Sequence, residues 1–340
     1  MALVVVFACG IFGPSRALRA ATWAERLGYP ADKPVVILHG SSMGECYEAN
    51  IAGQQSLLAG QLHSASLLAP APWFGEFAQW HAQHAEFDVG LDLTLNSEGE
   101  TYRWGPVLSR GDVASLVDDE GQLWRSVVQV HANVKAVDVE RELRAQIERA
   151  LKAGIRPGHF TTHLGALVSR DDLSAIYLKL ARHYWVPAVV VELTPQLIER
   201  FAELGFPLGD SLVQLIAEYP LPKIDDLRFL APAESYESLR DDLLGQLASL
   251  APCITQINLQ PAVQSGALQK ISDDWQQRVW EAQLLADPQL QEKFESGEII
   301  ATNWKEIMRR FEEGAAGEEG PAGEEGPAGE EGPANEPGEK

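Results

Sequence analysis

Runs of consecutive apolar residues alternate along this chain with longer stretches whose apolar residues have helical spacing. Residues 35–38 are all apolar and are followed by the small and polar residues 39–44. A run without polar alternation predicts a strand covered on both faces, as in a parallel sheet. Residues 45–60 then have the apolar spacing and alanine content of a helix. A strand, a polar loop and a helix in this order predict an α/β fold, whose chemistry lies at the carboxyl ends of the strands.

The same alternation continues over most of the chain. It predicts further strands at 64–68, 87–95, 186–193 and 255–259, and helices at 74–84, 137–153, 173–184, 197–204, 210–218 and 235–250. Helix 137–153 has the clearest pattern, because its apolar residues recur every four positions from 139 to 151. A polar turn between apolar pairs at 115–124 predicts a small hairpin.

Composition divides the chain into three segments. Residues 1–26 hold an apolar run that is too short to span a bilayer and has its arginines after it, which predicts a poor signal peptide. Residues 27–311 are the expected folded domain. Residues 312–340 contain Gly-Glu-Glu-Gly-Pro-Ala repeats with little apolar surface, and they predict a disordered, solubilising tail rather than a partner-binding one. We expect a cytoplasmic protein, with export as the alternative.

The formal net charge of −22 excludes one class of partner. The tail, with ten glutamates and one lysine, contributes −9 of it, and the remainder is also acidic. Such a balance repels phosphate backbones, so we expect no nucleic-acid binding. The three cysteines follow no zinc or redox spacing, and Cys46 is expected to be a small buried helix residue.

Residues 39–44, His-Gly-Ser-Ser-Met-Gly, resemble the end of the first strand in the ChbG/YdjC-type carbohydrate deacetylases, which carry His-Ala-Asp-Asp-x-Gly there. The resemblance continues through 102–106 and through the Trp-x-x-Arg-Val-Trp motif at 275–280, and it spans roughly 27–310. It implies a distorted parallel (β/α) barrel. It also implies removal of N-acetyl groups from amino sugars with a divalent metal, Mg²⁺ or Zn²⁺, and an N-acetylated sugar or oligosaccharide as the partner.

Four motif positions differ from the family pattern. The family's paired aspartates supply a catalytic base and a metal ligand, and here they are Ser41 and Ser42. Asp92 stands where the family has a metal-binding histidine, and Gln260 where it has a histidine near the scissile group. His163 matches the remaining metal ligand. The resemblance thus assigns Ser41 and Gln260 to catalytic positions, and Ser42, Asp92 and His163 to metal-ligand positions.

These substitutions predict a degenerate deacetylase, a pseudoenzyme that binds carbohydrate with little or no hydrolysis. Serine hydroxyls are neutral near pH 7 and serve neither as a strong base nor as a charged metal ligand. The alternative is an active metal-dependent hydrolase that uses Asp92, His163 and an unrecognised base, for which Glu45 is a candidate. A serine nucleophile paired with His39 is a further hypothesis, although the glycine-flanked elbow is missing. An interaction protein that presents the acidic tail is a third class.

Side chains suited to a sugar ring complete the expected site. Aromatic faces and guanidinium groups match carbohydrate rings, which favours a rim that includes Trp73. Packing and loop anchoring explain such residues equally well. The predicted sugar contacts are Tyr102, Arg103, Trp104 and Arg278.

Overall fold

The structure, a computed structural model, describes residues 21–203 and 208–318. Its strands are β1 (Val35–Met43), β2 (Ser64–Leu67), β3 (Val89–Leu93), β4 (Phe160–Thr162), β5 (Asp226–Phe229), β6 (Ile254–Leu259) and β7 (Ile300–Ala301). All of the strand pairings are parallel. The long apolar run therefore forms the first strand of a parallel sheet, as its pattern predicts.

Helices follow most of the strands and cover the outside of the sheet. They are α1 (Trp23–Arg26), α2 (Tyr47–Leu58), α3 (Phe74–His81), α4 (Val127–Asn133), α5 (Ala136–Lys152), α6 (Asp171–Tyr184), α7 (Pro195–Glu203), α8 (Asp210–Ala217), α9 (Tyr236–Ala248), α10 (Leu268–Ile271), α11 (Trp275–Leu285), α12 (Pro288–Glu295) and α13 (Trp304–Glu318). Across 21–203 and 208–318, no helix has both the length and the apolar character needed to span a membrane.

The strand order places β1 at the centre of a sheet that curves towards closure. The order is β4-β3-β2-β1-β6-β5, and β7 pairs with the start of β1. Parallel bridges at Phe160–Ala188 and Val191–Ile224 connect β4 to the stretch before β5. The predicted distorted parallel barrel is confirmed, while the predicted strand at 186–193 is reduced to these two bridges.

The two faces of β1 pack into different parts of the core. Val35 and Ile37 belong to a cluster that contains Trp304, whereas Val36 and Leu38 belong to a larger cluster with the surrounding helices. Alternate residues of a strand point to opposite faces, so the first set lines the barrel interior and the second faces the helical layer. Both faces of β1 are buried.

A polar layer fills the middle of the barrel. The ring of the buried His39 lies 3.2 Å from Ser64 Oγ at Nδ1 and 3.0 Å from Ser66 Oγ at Nε2, and its centroid is 5.0 Å from that of His159. On β3, a Cβ added to Gly90 would lie 2.5 Å from His159 Nε2. Only glycine allows this close approach of the imidazole.

The folded unit extends slightly past both ends of the segment predicted at 27–311. Trp23, on α1, is buried and donates its backbone N–H to Asp225 Oδ1 at 2.9 Å. At the other end, α13 continues to Glu318. The rest of the predicted leader and tail, 1–20 and 319–340, lies outside the described residues. The predicted hairpin at 115–124 has an antiparallel bridge between Val117 and Leu123.

Candidate functional site

The carboxyl ends of β1, β3, β4 and β6 bring most of the predicted site residues together. Asp92 Oδ2 lies 3.2 Å from His163 Nδ1 and 3.5 Å from Ser42 Oγ. Gln260 Nε2 lies 3.4 Å from the same serine oxygen. Ser41 precedes Ser42 on β1 and is partly exposed. Residues that are up to 218 positions apart in sequence therefore form one polar group at the barrel mouth.

Ser42 has an unusual backbone conformation. Its φ is +63°, in the left-handed region, where a non-glycine residue costs of order 1–3 kcal/mol. The pairing of β1 with β2 also changes register between Gly40 and Met43. Asp and Asn tolerate the left-handed region better than other side chains. The backbone at Ser42 is therefore suited to the aspartate that the resemblance expects at this position.

Asp92 is buried and surrounded by donors. Thr161, its register partner on β4, donates its hydroxyl to Asp92 Oδ1 at 2.9 Å. His163 and Ser42 approach the other carboxylate oxygen. The carboxylate is only 3% exposed, and buried oxygens need such partners to offset their lost hydration.

His163 lies between two carboxylates, one at each ring nitrogen. Nδ1 faces Asp92, and Nε2 lies 3.1 Å from Glu98 Oε1. Both nitrogens act as donors only when the ring is the imidazolium cation. Burial opposes that charge, but Glu98 and Asp92 together hold the pKa of His163 well above its usual value. Conversely, His163 lowers the pKa of Glu98 although burial acts in the opposite direction.

With its ring protonated, His163 does not fit the metal that the resemblance implies. A histidine ligand needs an unprotonated nitrogen with a free lone pair, and both nitrogens of His163 are directed at carboxylates. Asp92 and Glu98 flank opposite sides of the ring and do not converge on one point beside it. Throughout 21–203 and 208–318, no group of three or more His, Cys, Asp and Glu side chains has an arrangement able to hold a metal ion.

Glu45, the candidate substitute base, is held in an ion pair. Its Oε2 lies 2.8 Å from Arg278 Nη2, and the two side chains are 16% and 4% exposed. Arg278 also donates from Nε to the backbone oxygen of Gln260 at 3.2 Å. The backbone oxygen of Glu45 accepts the hydroxyl of Tyr102 at 2.7 Å. Glu45 and Arg278 thus connect the loop after β1 with the loop after β6.

The other predicted sugar contacts, Arg103 and Trp104, have largely buried side chains. The Arg103 side chain is 4% exposed and pairs with Asp118 at 2.6 Å, so it holds the hairpin against the barrel. Trp104 is 5% exposed, and its ring centroid lies 6.4 Å from that of His163. Contacts between sugar and Tyr102, Arg103, Trp104 or Arg278 stay predictions.

The structure contradicts one hypothesis from the sequence, about His39, and adds one site residue, Glu98. His39 uses both ring nitrogens on Ser64 and Ser66, so the structure does not place it as a base for Ser41. Glu98 is a site residue that sequence reasoning did not single out. Its position five residues beyond β3, within the segment of resemblance, was the available signal. Cys46 is buried as expected but precedes α2 instead of lying within it, and burial raises the pKa of its thiol to about 11.

Comparisons with known proteins agree with this fold. Residues 35–296 match the family described as YdjC-like protein. A carbohydrate deacetylase of Thermus thermophilus is 34% identical over 214 residues, which cover 61% of this chain and 69% of the relative. Another from Enterococcus faecalis is 28% identical over 256 residues, covering 73% of this chain and 88% of the relative.

A solved structure extends the comparison to three dimensions. A protein of Enterococcus faecalis, described as a cellobiose-phosphate cleavage protein, superposes with a TM-score of 0.67 at 22% identity. The superposition covers 81% of this chain and 99% of that one, and it shows a shared fold. Since the family match begins at β1 and includes all the site positions from Ser41 to Gln260, the chain belongs to the YdjC-like protein family.

Proposed function

We propose that this protein binds an N-acetylated carbohydrate at the mouth of its barrel and hydrolyses it slowly or not at all. The relatives named carbohydrate deacetylase support a carbohydrate ligand. One observation carries the proposed loss of hydrolysis: both ring nitrogens of His163 are engaged by carboxylates. Asp92, His163 and Glu98 thus form a buried cluster of charges that stabilises the fold and does not act as a catalytic centre.

Hydrolysis of an acetamide requires an activated water and a group that accepts its proton. Ser41 and Ser42 are neutral at the positions where the resemblance expects carboxylates. Asp92 accepts from three neighbours, and Glu45 is paired with Arg278. Glu45, the one base candidate that the sequence offered, and Asp92, a predicted metal ligand, are therefore both committed to partners inside the protein.

The alternative of an active hydrolase built on Asp92 and His163 requires a neutral imidazole. The two flanking carboxylates favour the opposite protonation state. It also requires a base, and the ion pair of Glu45 weakens the one candidate that the sequence suggested. The geometry therefore favours the binding protein over the hydrolase.

Acetate release and ligand binding, measured on the same preparation, test the proposal. We expect an N-acetylglucosamine trimer to bind saturably in calorimetry without acetate release, with or without added zinc or magnesium. The Thermus thermophilus relative serves as the positive control for acetate release. Turnover of about 1 s⁻¹ or faster, within the usual enzyme range, would overturn the proposal if Asp92→Ala and His163→Ala abolish it. Asp119→Ala, at an exposed position, is the matched control.

Metal calorimetry gives an independent result. We expect no binding of zinc or magnesium at millimolar concentration, because no nitrogen of His163 is free to coordinate. Tight binding that disappears in His163→Ala would show that the carboxylates can give way to a metal, and it would favour the hydrolase.

A further inference from the structure

Tyr47 and Trp73 form a pair of exposed aromatic rings beside the barrel mouth. The two residues are 44% and 38% exposed, and the ring centroids are 5.1 Å apart at an angle of 48°. We propose that this pair is a stacking platform for one ring of a neutral oligosaccharide of which another ring lies near Ser42. The inference rests on the proposed carbohydrate binding and adds that the site takes a ligand longer than one sugar ring.

Both residues lie at the carboxyl edge of the sheet. Tyr47 is the first residue of α2, directly after β1, and Trp73 lies between β2 and α3. β1 and β2 are parallel neighbours, so the two loops that follow them are adjacent. The backbone N–H of Trp73 donates to the oxygen of Gly44 at 2.9 Å. Five residues extend at most about 18 Å, so Tyr47 lies within that distance of Ser42.

The buried side chain of Asn50 holds the platform in place. Its Oδ1 accepts the backbone N–H of Gly44 at 2.6 Å, and its Nδ2 donates to the backbone oxygen of Trp73 at 3.1 Å. The same Nδ2 lies 2.5 Å from Glu76 Oε2. One side chain thus joins the loop after β1 to the loop after β2. A platform fixed in this way loses little conformational freedom when a ligand binds.

The surroundings of the platform favour a neutral sugar over a charged ligand. Exposed aromatic faces offer an apolar surface to the C–H face of a pyranose ring, and hydroxyls at the edge of the ring need polar partners. The partly exposed carboxylate of Glu76, three residues beyond Trp73, already accepts from Asn50 and Gln54, and its remaining lone pairs are acceptors for a sugar hydroxyl. Arg278 and Arg103 are paired with Glu45 and Asp118, so neither cation is free for a phosphate group. The net charge of −22 further disfavours nucleic acid.

Calorimetry with two ligands tests the platform in the full chain. The probes are N-acetylglucosamine and its β-1,4-linked tetramer, and the variants are Trp73→Ala, Tyr47→Ala and Trp73→Phe. We expect Trp73→Ala and Tyr47→Ala each to weaken tetramer binding about tenfold, because each removes one face of the stack. Trp73→Phe should retain most of the affinity. The monomer, which binds near Ser42 alone, should change less than twofold.

Trp185→Ala is the matched control. Trp185 is 52% exposed but precedes the bridge at Ala188, at the opposite end of the barrel. Unchanged tetramer affinity in Trp73→Ala and Tyr47→Ala would overturn the platform and leave the proposed function intact. Absence of any saccharide binding by the natural chain would overturn both. An equal loss in Trp185→Ala, or a dimer that Trp73→Ala dissociates, would also overturn the platform.

Discussion

His163 Nδ1 lies 3.2 Å from Asp92 Oδ2, and both side chains are only 3% exposed. Asp92 on β3 and His163, directly after β4, thereby form a buried ion pair at the position where the family resemblance expects two metal ligands. With Glu98 on the other side of the ring, the imidazolium has a counter-charge at each nitrogen. Position 92 is aspartate where the resemblance expects histidine. The His163 side chain is therefore a buried cation at the mouth of the barrel.

Asp92→Asn should destabilise the protein. The change leaves the His163 imidazolium with one flanking carboxylate, and breaking a buried pair from one side costs about 3 kcal/mol. Urea unfolding at neutral pH measures this free energy of unfolding. Asp119→Asn removes an exposed carboxylate and should stay within about 0.5 kcal/mol of the natural chain. Equal stability of the two variants would contradict the ion pair.

Glu45→Gln should also reduce stability, by about 3 kcal/mol. It removes the counter-charge of Arg278, whose side chain is 4% exposed and lies 2.8 Å from the Glu45 carboxylate. Because the same pair joins two loops at the mouth, saccharide binding should weaken together with stability. Denaturant unfolding and calorimetry measure the two effects. Glu295→Gln, at an exposed position on α12, is the control, and a Glu45→Gln variant that is fully stable would contradict the pairing.

His63 should make the protein less stable as the pH falls from about 6.5 to about 4. Burial lowers the pKa of His63 from its usual 6.5 to about 4, and the backbone N–H of Leu38 donates to its Nδ1 at 3.1 Å. Between these two values the unfolded chain binds the proton and the folded chain does not. The unfolding free energy therefore decreases as the pH falls, by up to about 1.4 kcal/mol for each pH unit.

His63→Gln isolates this contribution because glutamine does not titrate. Urea unfolding of both proteins at pH 7, 5.5 and 4 should show the natural chain losing more stability than the variant across that window. Their difference should become constant below about pH 4, where both states of the natural chain are protonated. Parallel curves for the two proteins would show that His63 titrates normally in the fold.

Several helices and strands could be predicted from the sequence because the apolar residues of each follow one clear pattern. The apolar run at 35–38 is covered on both faces, and the four-residue spacing at 139–151 lies within α5. The short strands β5 and β7 have no comparable pattern. β5 has four residues and β7 has two, which is too short to show an alternation of apolar and polar residues. β5 forms by pairing with β6, and β7 forms by pairing with β1. Segment 186–193 has an apolar composition but makes only isolated bridges.

The sequence was enough to predict which residues meet at the candidate site, but not which hydrogen-bond and ion-pair partners they have there. The resemblance placed Ser42, Asp92, His163 and Gln260 at one mouth, and the structure brings them into contact. The partners that decide their chemistry come from loops. Glu98 reaches His163 across 65 residues of sequence, a contact that no local spacing encodes.

Restoring the four departing positions should produce acetate release. The combined variant is Ser41→Asp, Ser42→Asp, Asp92→His and Gln260→His. The left-handed backbone at Ser42 accepts aspartate, and the histidine at position 92 removes the carboxylate that engages His163 Nδ1. A positioned acid or base contributes about 100-fold or more, so acetate release from an N-acetylglucosamine trimer with added zinc should exceed that of the natural chain by at least that factor.

The same four changes combined with His163→Ala form the control for this gain. His163 is the position at which the sequence keeps the metal ligand that the resemblance expects, so its removal should abolish the restored activity while binding of the trimer persists. Restored release that survives His163→Ala would mean that the new activity arises elsewhere in the cleft. A folded four-fold variant that binds the trimer but releases no acetate would contradict the assignment of lost hydrolysis to these four positions. Its cause would then lie in the shape of the cleft, where Glu98 contacts His163 Nε2.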